Sequence, residues 1–393
     1  MKILHIAPFF HPAHRYGGPI QVLHDLCVES AAKGCAVKVL TTNTNGPGAS
    51  LDVPSDREVE RPGGYSARYC RRVAGECVAP SLVTELRRYA AWADVLHLSC
   101  VYSFPTIPAL GAAALYGKPL VWSPMGALQR WTGSRRLLLK RQWERACRLA
   151  APRDLLIHVT SEAEAEESRR IFPGAQFAVV PHGVYLPEKR KTPVNQELRL
   201  LFLGRLDPKK GLENLFDACA LMQQSWRGRR ASWNLTVAGS GDPAYVEGLR
   251  SRLERLGLAR QVTMAGHVLG ERKQELLNAA DILVVPSFTE NFAMVIVEAL
   301  ALGVPVLAST GTPWARLEEK GCGRWVNNDP ETLASTITAM SMMDLDDMGS
   351  RAHQWMRDEF SWPAITEQMI DLYRMCLRNS FSRGQAQSAA ART

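Results

Sequence analysis

Phe288-Thr-Glu-Asn-Phe-Ala-Met-Val-Ile-Val-Glu-Ala-Leu-Ala-Leu-Gly303 is the stretch from which the fold is read. Directly before it stands Ile282-Leu-Val-Val-Pro286, a short apolar run of the kind that forms a parallel strand buried on both faces. A helix is predicted from about Asn291 or Phe292, with Asn291 as its N-cap and Gly303 as its stop signal. A second apolar run, Val304 to Ala308, follows at once. Strand, loop, helix and strand in that order make the unit that aims a helix N-terminus at an anion.

Two glutamates set this unit apart. Glu290 lies in the loop and Glu298 on the helix, with seven residues between them. In a βαβ unit ligands bind outside the carboxyl ends of the strands, where that loop lies. A carboxylate there accepts hydrogen bonds from sugar hydroxyls, and Glu298, about two turns further on, is within reach of a ribose. Solvent exposure and the helix dipole would account for two glutamates near a helix start without any ligand. The pattern, with Phe292 behind the first glutamate and Glu298-Ala299 at its end, resembles the retaining nucleotide-sugar glycosyltransferases of family four.

The resemblance covers nearly the whole chain. It implies an α/β protein of GT-B architecture, with two Rossmann-like doubly wound domains facing each other across a cleft. Residues 1–180 would form the acceptor-side domain and 181–360 the nucleotide-sugar-binding domain. A last helix, 361–378, would pack back on the first domain, and 379–393 would be a disordered tail.

Working outward, Leu198 to Leu203 is a strand, and Gly204-Arg-Leu-Asp-Pro-Lys-Lys-Gly211 joins it to a helix. Arginine suits bidentate phosphate contact and lysine suits a point-charge contact. Arg205 and Lys210 match the pair that holds the diphosphate in the resembled family. Gly239-Ser-Gly-Asp242 is a glycine turn on the donor side. At Gly266-His267-Val268, family members hold the base through backbone groups. In the first half, Gly17-Gly18-Pro19 opens a helix running to about Lys33, and glycines there let backbone amides approach a phosphate. The resemblance places this loop against the donor diphosphate and the acceptor. Met125 stands where many relatives carry a histidine that contacts the donor sugar, and methionine has no acid/base capacity. His97, on the strand Asp94 to Ser99, belongs to the same acceptor or sugar pocket if it is not simply structural.

Composition bounds the rest. A chain of 393 residues suggests two domains, and 46% apolar with 22% charged residues is ordinary for a globular protein. No apolar run approaches the ~20 residues that span a bilayer. The opening Met-Lys-Ile-Leu-His-Ile-Ala-Pro is too short and too soon polar for a signal peptide. Nine scattered cysteines without a Cys-x-x-Cys pair indicate neither disulfides nor zinc, and the cytoplasm is the expected compartment. Residues 1–180 hold 22 Lys and Arg against 15 Asp and Glu, so the net +8 sits almost wholly in that half. An anionic surface or substrate is expected there.

Much of that charge falls on Arg130 to Arg153, which has eight Lys and Arg and one acid, Glu144. Leu139, Trp143, Cys147 and Ala150 form one helical stripe through it. This is either a core-facing stripe with a solvated basic face, or a peripheral attachment to the inner face of the cytoplasmic membrane. It would also steer a lipid-diphosphate acceptor. Nucleic acid is not expected, because no binding module accompanies the charge. Residues 43–66 read as a loop and 187–197 as a linker. Asp344-Leu-Asp346 copies a metal signature of another transferase architecture but reads as a helix cap, and no essential metal or other cofactor is expected.

The reading is thus a metal-independent, retaining hexosyltransferase. It would move a sugar from a nucleoside diphosphate sugar to a hydroxyl on a lipid-linked or growing cell-surface glycan. Glu290, Arg205 and Lys210 would be catalytic, and Asn291, Phe292, Ala293 and Met294 would present the helix N-terminus to the donor. The alternatives are a catalytically degenerate GT-B subunit that binds or scaffolds at a membrane, and a nucleotide-sugar epimerase.

Overall fold

The computed structural model describes residues 1–129, 136–189, 197–226 and 232–378, with helical backbone continued to Ala390. It divides into two units, Met1–Gly183 with Trp362–Thr393, and Val184–Ser361. The first threads β1 (Lys2–Ile6), α1 (Gly18–Ala32), β2 (Ala36–Thr42), β3 (Glu58–Arg61), β4 (Tyr65–Cys70), α2 (Pro80–Trp92) and β5 (Val95–Ser99). It continues with α3 (Thr106–Leu115), β6 (Leu120–Ser123), α4 (Leu137–Ala150), β7 (Leu156–Val159), α5 (Glu162–Ile171) and β8 (Gln176–Val179). The strands form one sheet in the order β3-β4-β2-β1-β5-β6-β7-β8. Only the edge strand β3 runs antiparallel to its neighbour.

The second unit threads β9 (Glu197–Leu203), α6 (Leu212–Ser225), β10 (Ser232–Ala238), α7 (Pro243–Arg255), β11 (Val262–Gly266), α8 (Gly270–Ala279) and β12 (Ile282–Val285). Then come α9 (Met294–Ala301), β13 (Val306–Ser309), α10 (Arg316–Glu319), β14 (Gly323–Val326), α11 (Pro330–Met340) and α12 (Leu345–Trp355). Its sheet is wholly parallel, in the order β11-β10-β9-β12-β13-β14. The final helix, α13 (Trp362–Ala390), returns the chain to the first unit.

The strands read as unbroken apolar runs because helices cover both faces. Ile282 and Val284 point into one core with Phe202, Leu235 and Leu333. Leu283 and Val285 point into the other with Ile296, Leu300 and Leu317. This is the period-two alternation of a strand with no wet side. In both sheets the first strand lies inside the order, so the direction of winding reverses beside it. That reversal opens a crevice at the strand carboxyl ends.

The structure corrects several boundaries. The 43–66 loop contains the strand β3, whose exposed and half-buried residues alternate as an edge strand's do. The basic segment is helical from Leu137, and its residues 130–135 lie outside the described residues, as do 190–196 of the linker. Leu139 is 61% exposed and leaves the predicted stripe, whereas Cys147 is buried. Helix α13 continues past Arg378 to Ala390, where a disordered tail was expected. That stretch holds three Ala and two Gln and has no proline to stop a helix.

Ser161 caps α5, its Oγ accepting from the amide of Glu164 at 3.2 Å. Ser161→Ala is expected to destabilise the fold by about 1 kcal/mol, read as a lowered unfolding midpoint. An unchanged midpoint would show that the cap contributes nothing.

Candidate functional site

The crevice of the second sheet opens between β9 and β12, and two loops meet there. The loop after β9 carries Lys209 and Lys210 in a single 3-10 turn, with Asp207 accepting from the Lys209 amide at 3.1 Å. Gly211 follows at φ +67°, and a Cβ there would stand 2.1 Å from the carbonyl oxygen of Pro286, so this loop seats directly on the end of β12. The Phe288 amide, in the loop after β12, donates to Lys209 O at 2.8 Å. The Glu290 amide donates to Gly311 O at 2.9 Å.

These backbone ties bring the Lys210 ammonium onto the Glu290 carboxylate, eighty positions apart, as a nearly buried ion pair. The same oxygen accepts from Ser287 Oγ at 2.8 Å. Lys209 is pushed below the usual lysine range by burial and then by Lys210, with Glu290 opposing. Arg205 differs from these residues. Its side chain is 66% exposed and only 4.0 Å from Asp207, leaving the guanidinium open to solvent. Gly239 follows β10 so close to the first loop that a Cβ would stand 1.8 Å from Gly204 O. Its amide donates to Gly266 O at 2.7 Å, which places exposed His267 and half-buried Val268 next to it.

Helix α9 begins at Met294, later than predicted, and its cap is Ala293 in the left-handed region at φ +63°, without a side-chain cap bond. Asn291 is therefore not the N-cap. A non-glycine residue at positive φ is strained and is kept by its surroundings. Phe292 supplies the reason. Its ring is buried against Trp314, with centroids 5.3 Å apart, and its carbonyl accepts from the Trp314 indole. The Phe292 side chain thus belongs to the core and offers a ligand only backbone. On α9, Glu298 is paired with Lys273 of α8 at 2.6 Å. Nothing in the sequence around Lys273 announces this pairing. Ser287 was legible as a hydroxyl at a strand end but was missed.

In the first unit Gly17 takes φ +76° and Gly18 starts α1, both exposed at the carboxyl end of β1. Met125 sits at φ +55° in the turn after β6. Its neighbour Gly126 donates its amide to Glu164 at 2.6 Å, and the other carboxylate oxygen accepts from Thr160 N and Oγ. Glu164 is fully buried and fixes this turn.

His97 is buried with both ring nitrogens engaged. His158 Nε2 faces Val180 O at 2.8 Å, and a carbonyl only accepts, so Nε2 carries the proton. Nδ1 then accepts from Ser123 Oγ at 2.6 Å. Ser123 Oγ in turn accepts from His97 Nε2 at 2.7 Å, and His97 Nδ1 accepts from Tyr373 Oη at 2.6 Å. The chain of bonds runs one way from α13 to the end of β8, and is complete only with both imidazoles neutral. His97 is thus a structural residue, and with Met125 it lines a cavity of about 20 Å³, too small for a sugar.

Helix α4 is pinned by Trp143, whose Nε1 donates to Val101 O at 2.8 Å, and by buried Glu144, which accepts from Tyr102. Its outer side exposes Leu137, Leu138, Leu139 and Leu149. A groove of about 640 Å³ beside it is lined by Arg141, Arg145, Arg148 and Arg170 with Leu128 and Ile171. No helix among the described residues is long and apolar enough to cross a membrane. Asp344 caps α12, accepting from the Asp346 and Asp347 amides, and Lys189 pairs with Asp346 at 3.1 Å.

Two family models match the chain. "Glycosyltransferase Family 4" covers residues 16–186 and "Glycosyl transferases group 1" covers 187–354. A GDP-mannose:cellobiosyl-diphosphopolyprenol alpha-mannosyltransferase of Xanthomonas oryzae pv. oryzae is 26% identical over 96% of this chain and 97% of its own. A D-inositol 3-phosphate glycosyltransferase of Segniliparus rotundus is 33% identical over 51% of this chain and 47% of its own. Among solved structures, sucrose-phosphate synthase from Thermosynechococcus elongatus superposes with a TM-score of 0.76 at 20% identity, covering 96% of this chain and all of that one. Anabaena HepE in complex with UDP-glucose gives 0.68 at 20% identity, covering 95% of this chain and 100% of that one.

Proposed function

The chain belongs to glycosyltransferase family 4 and has the GT-B fold, and from that premise we propose that it transfers a sugar from a nucleoside diphosphate sugar to a hydroxyl with retention of configuration. The observation that carries the reading is the Lys210–Glu290 pair, held by Ser287 at the crevice beside the start of α9. Lys210 and Arg205 would neutralise the charge that grows on the departing diphosphate, with the first amides of α9. Electrostatic relief of that kind makes a metal unnecessary. Glu290 would orient the sugar hydroxyls and Glu298 the ribose. The backbone at His267 and Val268 would take the base, with Gly239 allowing close approach. None of these side chains is assigned as a covalent nucleophile.

The acceptor we propose is a lipid-linked or growing glycan. The full-length mannosyltransferase relative is named for a diphosphopolyprenol acceptor, and the Arg-lined groove beside the exposed leucines of α4 suits a chain working at an anionic surface. The chain would then lie peripherally on the cytoplasmic face of the membrane. Sedimentation with anionic vesicles is expected, and Leu138→Asp should weaken it several-fold. Equal sedimentation of both proteins would remove α4 from this role.

The transferase test combines a panel of UDP, GDP, ADP and CMP sugars with polyprenyl-diphosphate sugars, with magnesium or with a chelator. Metal-independent transfer with the donor's anomeric configuration in the product is the expected result. Product formed without any acceptor would mean an epimerase. Donor binding without turnover would mean the degenerate reading, whose support is Met125. Within this scheme Lys273 positions Glu298, so Lys273→Met should raise KM for the donor about tenfold with kcat little changed. A loss confined to kcat would place Glu298 away from the ribose.

A further inference from the structure

A second polar cluster lies in the first unit, between α1 and the β3–β4 hairpin. The hairpin turn seats on the helix, since a Cβ on Gly63 would come within 2.7 Å of the Val28 side chain. His11, in the loop after β1, stacks on His24 of α1 with centroids 4.3 Å apart and planes 17° off parallel. His14 meets His11 edge-on at 5.2 Å. Arg61 Nη2 reaches His11 Nδ1 at 3.4 Å, and its guanidinium lies over the Tyr69 ring. His24 Nδ1 is 2.8 Å from Tyr65 Oη, and Tyr69 Oη donates to His11 O.

This arrangement gathers positive charge, and among the described residues no ion pair joins His11, His14, His24 or Arg61 to a carboxylate at the distances of the other pairs. Arg61 Nε is buried without a hydrogen-bond partner among the described residues. Two acids adjoin the cluster in sequence: Asp25, buried on α1, accepts from Gln21 at 2.7 Å, and Glu60, beside Arg61, is exposed on the alternate face of β3. The groups that depress His11 are burial, then His24, His14 and Arg61, all cationic or made so by a proton. His24 is depressed by burial and then Arg61. Such a set is stable only while the imidazoles are neutral or an anion sits among them. His14 is exposed and His11, His24 and Arg61 are half-buried, so the cluster is open to solvent.

We propose that His11, His24 and Arg61 form a phosphoryl-binding site. Donors arrive from a loop, a helix and a hairpin, which suits the several acceptor oxygens of a tetrahedral dianion better than a planar carboxylate. A bound phosphate anion raises the proton affinity of both histidines, so the site strengthens as the pH falls toward 6. The groups facing it are His11, His14 and Arg15 on the loop, His24 and Asp25 on α1, and Arg61, Tyr65 and Tyr69 on the hairpin.

The experiment uses the full chain near pH 6 with inorganic phosphate, acetate and chloride at matched ionic strength, read by thermal shift and by histidine NMR titration. Phosphate should raise the unfolding temperature and the His11 and His24 pKa in the native chain and in Lys210→Ala, which disables only the second unit's crevice. The response should vanish in Arg61→Met, and in His11→Asn should the first variant not fold. An undiminished response in either variant overturns the site, as does loss of the response in Lys210→Ala alone. An equal response to acetate overturns the phosphoryl assignment. Vesicles of phosphatidic acid in phosphatidylcholine distinguish the source. Capture that depends on Arg61 marks a phosphate carried by lipid, and a response confined to the free ion marks a soluble one; both support the site.

Discussion

Glu290→Gln is expected to lower kcat for transfer by roughly two to three orders of magnitude, the scale for removing one electrostatic group from a preorganised site. Glutamine keeps the volume and still accepts from Ser287 and Lys210, so the backbone ties of the two loops survive. What disappears is the negative charge that balances Lys210 and, in the proposed role, would fix the sugar hydroxyls. Lys210 then faces the diphosphate without its internal competitor, and donor affinity should hold steady or tighten while turnover falls. That split separates a role in the reaction from a structural one, which would lower the unfolding temperature as well. Full activity in the variant would end the assignment.

The second large effect is on stability in acid. Burial holds His5 and His182 at about 3 and His158 at about 4, and pushes His97 well below the ordinary 6.5. The unfolded chain takes up protons near 6.5 and the folded chain refuses them, so stability is fully present above that pH. On acidification it falls by about 1.4 kcal/mol per pH unit for each histidine until the folded values are reached. Four such groups make the first unit the acid-labile one. Unfolding temperatures measured from pH 7.5 to pH 5 should fall steeply below 6.5. Buried histidines that titrate near 6.5 by NMR would refute this account.

The parallel strands were legible because Ile282–Val285 and Val306 to Ala308 have no polar position, the mark of strands covered on both faces. The loops after β9 and β12 could be named as a candidate site because ligands bind at the carboxyl ends of the strands in a parallel sheet of that kind. The start of α9 was misread because Asn291 is the better cap by propensity, whereas Trp314, far along the chain, buries Phe292 and sets the cap at Ala293. Lys273 on Glu298 and Glu164 on Gly126 were unreadable for the same reason. Each pairing is set by the packing of elements, which spacing along one segment does not encode. His97 was ambiguous until Tyr373, at the far end of the chain, supplied its second partner.

The return of α13 has a consequence for biosynthesis. The second unit is one uninterrupted segment, Val184–Ser361, and has all its strands as soon as that segment leaves the ribosome. The first unit, though translated earlier, lacks a layer until Trp362 and the residues after it emerge. Until then His97 has no hydroxyl to accept from, and the apolar surface that meets Ile365 and Met369 is open to solvent. The half of the protein made first is therefore finished last, and nascent chains halted before Trp362 should carry a protease-resistant second unit beside a protease-sensitive first one.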